Sequence, residues 1–100
     1  MKQDIFNEYA DKVARNFRIR EEDLFIKSKV QEYVDARHLL YYLCFKRPMR
    51  VATIHNYMKD NGYDTNWSTI YRGINSFADK MRSDDDYKKL VKDIQNSITL

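Results

Sequence analysis

The hundred-residue sequence predicts an all-α fold: one compact domain over residues 1–100, built from five to six helices. Three observations carry that expectation. Glycine occurs twice and proline once, so the chain is short of the residues that make tight turns and hairpins. Apolar residues recur every three to four positions with charge between them, the period of a helix with one buried face. Eight tyrosines and five phenylalanines give a chain of this length the bulk for one modest core.

The first helix is expected over 2–16, where Ile5, Phe6, Tyr9 and Val13 share a face that Phe17 continues. The next stretch, "RIREEDLFIKSK", lacks a long period. It predicts a short turn at 21–24, then a basic loop anchored by Phe25 and Ile26. A central helix follows over 30–45, with Val30, Tyr33, Val34, Arg37, Leu40, Tyr41 and Cys44 on one stripe. Pro48 ends it, because proline disfavours helix in the residue before it, here Arg47. The fourth segment, 51–61, turns Val51, Ile54, Tyr57 and Met58 inward and stops at Asn61-Gly62.

The fifth segment opens "TNWSTIYR". Thr65 or Asn66 can cap it, since short polar side chains accept hydrogen bonds from the first-turn N–H groups. Ile70, Ile74, Phe77 and Met81 make its buried stripe. The sixth begins at "SDDD", where acids suit the positive end of a helix. Tyr87, Leu90, Val91, Ile94 and Ile98 carry its apolar face to the end of the chain.

Catalytic chemistry finds little to work with. There is no Gly-rich phosphate loop and no paired-cysteine metal pattern. His38 and His55 fall in different helices without a ligand cluster, and Cys44 reads as a packed thiol. No enzyme, metal or cofactor is expected. A lone cysteine forms no internal disulfide, so a reducing, cytoplasmic setting is expected. No apolar run is long enough to span a membrane. The charged, amphipathic start "MKQDIFNEYADK" is not a signal peptide.

The net charge of +3 is mild. Between Arg15 and Arg50, however, lysines and arginines outnumber acids. Beyond that region, segments four and five read as helix, Gly-containing turn and helix. In a DNA-binding helix–turn–helix the second helix enters the major groove with its amino end at the base edges. Small polar side chains belong there, and an asparagine can pair two-pronged with adenine. Asn66, Trp67, Ser68 and Thr69 form such an exposed first turn, while Arg72 can reach phosphate.

The stretch "RIREEDLFIKSKVQEYVDARHLLYYL" resembles the C-terminal DNA-binding domain of the bacterial replication initiator DnaA. Asp23-Leu24, Lys27-Ser28-Lys29, Ala36-Arg37-His38 and Tyr42-Leu43 stand where that family has its motifs. Val51 and Ile54 fall at the apolar positions of the motif's first helix. Asn66-Trp67-Ser68-Thr69-Ile70 falls at the opening of its recognition helix. The resemblance covers about 6–98 and implies a fold like that of the Trp repressor superfamily. It also implies roles: Lys29 toward the minor groove, Lys27 and Arg72 on phosphate, and Arg37 either on phosphate or bracing the loop. Thr65, Asn66, Trp67, Ser68 and Thr69 would lie at the major groove. Arg50, just before the motif's first helix, completes the set.

The departures are specific. Thr65-Asn66-Trp67 replaces the family's Arg-Asp-His, the turn before it is longer, Lys29 replaces an arginine and Ala36 a proline. The initiator's usual DNA box is therefore not the expected target. The family's ATPase module has no counterpart in the chain, so ATP-driven origin melting is not expected either. The expected partner is double-stranded DNA, in replication or transcription control in a bacterium, plasmid or phage. The alternative expectation is a module that docks a replication, transcription or phage assembly protein.

Overall fold

The computed structural model describes residues 2–98, and every regular element within them is helical. The elements are α1 (Lys2–Phe17), a 3-10 turn (Glu21–Phe25), α2 (Gln31–Lys46), α3 (Val51–Asp60), α4 (Trp67–Ser83) and α5 (Asp85–Ser97). This is the expected all-α class. The expected run of the last segment to the chain end includes Thr99 and Leu100, which lie outside the described residues.

Helix α2 is the hub, packed against α1, α3, α4, α5 and the 3-10 turn. Ala36, Leu39, Leu40, Leu43 and Cys44 are fully buried in it. Its inward face is thus wider than one stripe, as suits a helix covered from several sides. Burial pushes the Cys44 thiol pKa upward, as a packed thiol requires. Val30 departs from expectation. Helix α2 starts one residue later, so Val30 caps it from outside and its side chain stays 45% exposed.

Helices α2 and α4 approach closely at Gly73. A Cβ on Gly73 would stand 2.9 Å from a ring carbon of His38 and 2.9 Å from one of Tyr41. No larger residue fits without moving those rings. Across the same interface Lys80 Nζ donates to Asp35 Oδ1 at 2.6 Å. Helix α5 closes one side, with Tyr87 edge-on to Phe77 at 5.5 Å between ring centres. Helix α1 closes another, its Phe6 meeting Tyr57 of α3 at 5.2 Å and Phe25 at 6.3 Å.

The helix ends follow local chemistry. After Asp60 the chain turns through Gly62 at φ +87°, a left-handed conformation that glycine adopts without strain. The Gly62 N–H donates to Lys59 O and the Tyr63 N–H to Met58 O, the paired bonds of a Schellman stop. Between α4 and α5 only Asp84 intervenes, and its side chain accepts from the Asp86 N–H at 2.9 Å.

Candidate nucleic-acid interface

Helices α3 and α4 pack against each other across the turn 61–66. The turn is held from two sides. His55 Nε2 of α3 donates to the Thr65 carbonyl at 2.9 Å. Asn66 then caps α4, its Oδ1 accepting from the Thr69 N–H at 2.8 Å. Of the two expected caps, Asn66 is the one used. Its carbonyl oxygen is engaged there, so its main role is to hold the helix start rather than to present both prongs to a base.

Helix α4 presents opposite faces. Ile70, Gly73, Ile74 and Phe77 point into the core. Ser68, Arg72 and Asn75, at spacings of four and three, point to solvent. Arg72 Nη2 rests on the Thr69 hydroxyl at 3.4 Å, leaving Thr69 half-buried. Asn75 carries no local signal in the sequence, since a lone asparagine in mid-helix reads as an ordinary solvated residue. Its place one turn beyond Arg72 on the same face is the signal that finds it.

Trp67 is 54% exposed and Tyr71, one turn on, 46% exposed. Both line an open groove of about 770 Å³ with Phe45, Pro48 and Arg50. The exposure expected of the indole is therefore present. Arg50 caps α3 from an extended conformation and is itself exposed.

Of the two anchors expected for the basic loop 26–30, Phe25 is half-buried against the core, whereas Ile26 is 43% exposed. Leu24, fully buried, and Arg37, which is 5% exposed, hold the loop as well. The Arg37 guanidinium donates to the carbonyls of Leu24, Ile26 and Ser28 at 3.5, 3.1 and 2.9 Å. Of the two roles expected for Arg37, phosphate contact and loop brace, these three donations from a buried side chain are those of a brace. Lys27 and Lys29 remain exposed.

Tyr63 joins this loop to the α3–α4 turn. Its buried ring has Arg37 Cζ at 4.8 Å and Lys27 Nζ at 4.9 Å from its centre, both cation–π distances. Three residues of chain, at most about 11 Å, separate Tyr63 from the Asn66 cap. The lysine loop is therefore mechanically tied to the start of α4. Sequence reasoning missed Tyr63, since nothing local marks a tyrosine in a polar turn as a clamp.

Charge at the helix starts sets these two helices apart. Helices α1, α2 and α5 carry Asp4, Glu32, and Asp85 with Asp86 in their first turns, whereas α3 and α4 carry no acid there. The positive ends of α3 and α4 are thus left without a neutralising carboxylate, a favourable place for an anion. Asp60 and Asp64 border the turn between them and are exposed.

The two histidines do other work. His38 packs under Gly73, and burial, reinforced by Lys80, pushes its pKa downward. Among the described residues no three His, Cys, Asp or Glu side chains gather to hold a metal ion. No helix among them is long and apolar enough to cross a membrane. No family model matches the chain, and no match was found among curated proteins or solved structures.

Proposed function

We propose that the chain binds double-stranded DNA sequence-selectively, with α3–turn–α4 as a helix–turn–helix and the loop 26–30 as a second contact. One observation carries the reading: the polar, acid-free start of α4 faces solvent while a basic loop is clamped to the turn before it. Ser68, Asn75 and Arg72 are placed to meet base edges and phosphate in a major groove. Lys27, Lys29 and Arg50 supply sequence-independent attraction to the backbone. Asp60 and Asp64 repel phosphate at the turn itself, which leaves the helix start and the loop as the two points of approach. Trp67 is then an apolar surface for a base edge such as a thymine methyl.

The reading treats the likeness to the initiator's DNA-binding domain as one of architecture and surface, with a different site preference. It places the protein in the cytoplasm, in control of replication or transcription. Selection of bound duplexes from a random pool at moderate salt tests it. A defined site should emerge, with log K falling against log salt at a slope of roughly −4 to −5 for about five neutralised phosphates. Lys29→Ala should weaken all duplexes alike and flatten that slope by about one. Binding that never departs from sequence-independence at any salt would refute the reading. It would favour a protein-docking module instead, for which the half-exposed Trp67 and Tyr71 are the observation.

A further inference from the structure

Along one flank of α4 runs a trough of which the duplex reading uses only Arg50, Trp67 and Asn75. Its first half is the Trp67–Tyr71 groove, with Lys2 and Arg50 also lining it. Its second half, about 480 Å³, lies between the carboxyl end of α2, the middle of α4 and the start of α5. Tyr42, Lys46, Asn75, Arg82 and Lys88 line this part. Phe45 lines both halves, and its ring meets Tyr71 edge-on at 6.4 Å between centres. The halves thus adjoin at Phe45, the residue common to both linings.

Two properties of the trough point to the same ligand. The first is sign. Neither half has an aspartate or glutamate in its lining. Asp79 and Asp85 stand outside it, pairing with Arg82 and Lys88. Lys46 has no carboxylate partner among the described ion pairs and lies 5.7 Å over the Tyr42 ring. The second is the flat aromatic surface. Trp67 and Tyr71 stand one helical turn apart, about 6 Å along the axis, and both rings are roughly half open to solvent. Cations alternating with open aromatic faces are the two elements that hold single-stranded nucleic acid: one meets phosphate, the other stacks on bases. A duplex cannot use the aromatic faces in this way, because its bases are already stacked on each other.

We propose that the trough binds a short single strand of DNA, with bases against Trp67 and Tyr71 and phosphates against Arg50 and Lys46. Its length along α4 fits on the order of four nucleotides, the low end for single-strand sites. The assignment to a single strand stands on the trough alone. The choice of DNA over RNA rests on the duplex reading, because Trp67, Arg50 and Asn75 are shared with that surface.

The protein's only tryptophan lies in the trough, so its emission reports occupancy directly. Titration with a short oligothymidylate should quench Trp67 saturably, with a log–log salt slope of about −1.4 for two neutralised phosphates. Tyr71→Ala and Lys46→Glu, both exposed or partly exposed positions, should each weaken binding about ten-fold. Ser68→Ala should leave the titration unchanged while altering duplex selection. Absence of quenching overturns the proposal, as does quenching that Tyr71→Ala and Lys46→Glu both leave intact. Tighter binding of a matched oligouridylate overturns the DNA assignment, and tighter binding of a Glu/Phe-rich peptide overturns the nucleic-acid assignment. If the oligothymidylate binds as described and duplex selection recovers nothing, the duplex reading falls and the trough stands. The reverse pattern sinks the trough alone.

Discussion

Helices α4 and α5 begin with similar caps and yet carry different charge. Each is amphipathic, and each is capped by a short polar side chain accepting from its own first turn, Asn66 from the Thr69 N–H and Asp84 from the Asp86 N–H. What differs is the charge. The α5 start holds Asp84, Asp85 and Asp86, which neutralise its positive end. The α4 start holds Asn66, Trp67, Ser68 and Thr69, and no acid. A helix that serves only the fold gains by carrying carboxylates there. Leaving them out at α4 gives up a few tenths of a kcal/mol of stability and keeps an anion-attracting surface open. On the proposed duplex-binding function, the difference between the two starts is what a recognition helix and a purely structural helix would show.

The largest effect should come from erasing that difference. Ser68→Asp gives α4 the acidic first turn of α5. It should raise thermal stability slightly, by about 0.5 kcal/mol through the helix dipole. It should also lower duplex affinity about a hundred-fold, since a carboxylate set against phosphate costs several kcal/mol. Opposite signs for melting temperature and affinity are the expected outcome. A variant that loses both would mean that Ser68 serves the fold.

Next in size is a change that spares the helix start and strikes the body of α4. Gly73→Val places a side chain where a Cβ alone would stand 2.9 Å from the His38 and Tyr41 rings. Tyr41 is 2% exposed and has nowhere to go. Overpacking of this kind should destabilise by about 2 kcal/mol, read from urea denaturation. Duplex affinity measured on the fraction that remains folded should change little. An equal loss of intrinsic affinity would mean that the crossing of α2 and α4 sets the recognition geometry as well as the stability.

How far the sequence alone reaches is visible in these same elements. The ends of α2 and α3 and the start of α5 were legible because their punctuation is local: Pro48, Asn61-Gly62 and the acidic run at Asp84. The inward stripe of α4 was legible from the spacing of Ile70, Ile74 and Phe77. Val30 and Ile26 misled because they are apolar, and apolarity reads as burial until the neighbouring elements are in place. Arg37 could be read as phosphate partner or brace, and only the three loop carbonyls around it decide. Tyr63 was illegible, for its meaning lies in Lys27 and Arg37, far off in sequence. The candidate site was therefore readable where it sits on one helix and unreadable where two distant segments meet.

The caps offer a matched pair. Asn66→Ala and Asp84→Ala each remove one side-chain acceptor from a helix start, and each should destabilise by about 1 kcal/mol. Their effects on duplex binding should part company. Loss of the Asn66 cap loosens the turn that presents Ser68, and affinity should fall several-fold. Loss of Asp84 touches a helix start on the other end of α4, and affinity should hold. Equal effects on binding would break the contrast between the two starts.

The smallest effect isolates the electrostatic part of the contrast. Asp86→Asn removes one carboxylate from the first turn of α5 while keeping the backbone N–H that Asp84 holds. Asp86 is preferable to Asp85 here, because Asp85 also pairs with Lys88 at 3.4 Å and its loss would mix two terms. The change should destabilise by about 0.3–1 kcal/mol at low ionic strength. In 1 M salt the screening length shrinks to about 3 Å, and the difference should shrink with it. Duplex binding should be unchanged or slightly stronger, since a negative charge has gone. A loss of stability that survives high salt would assign Asp86 a packing or hydrogen-bonding role. The acidic start of α5 would then no longer serve as the reference against which the bare start of α4 is read.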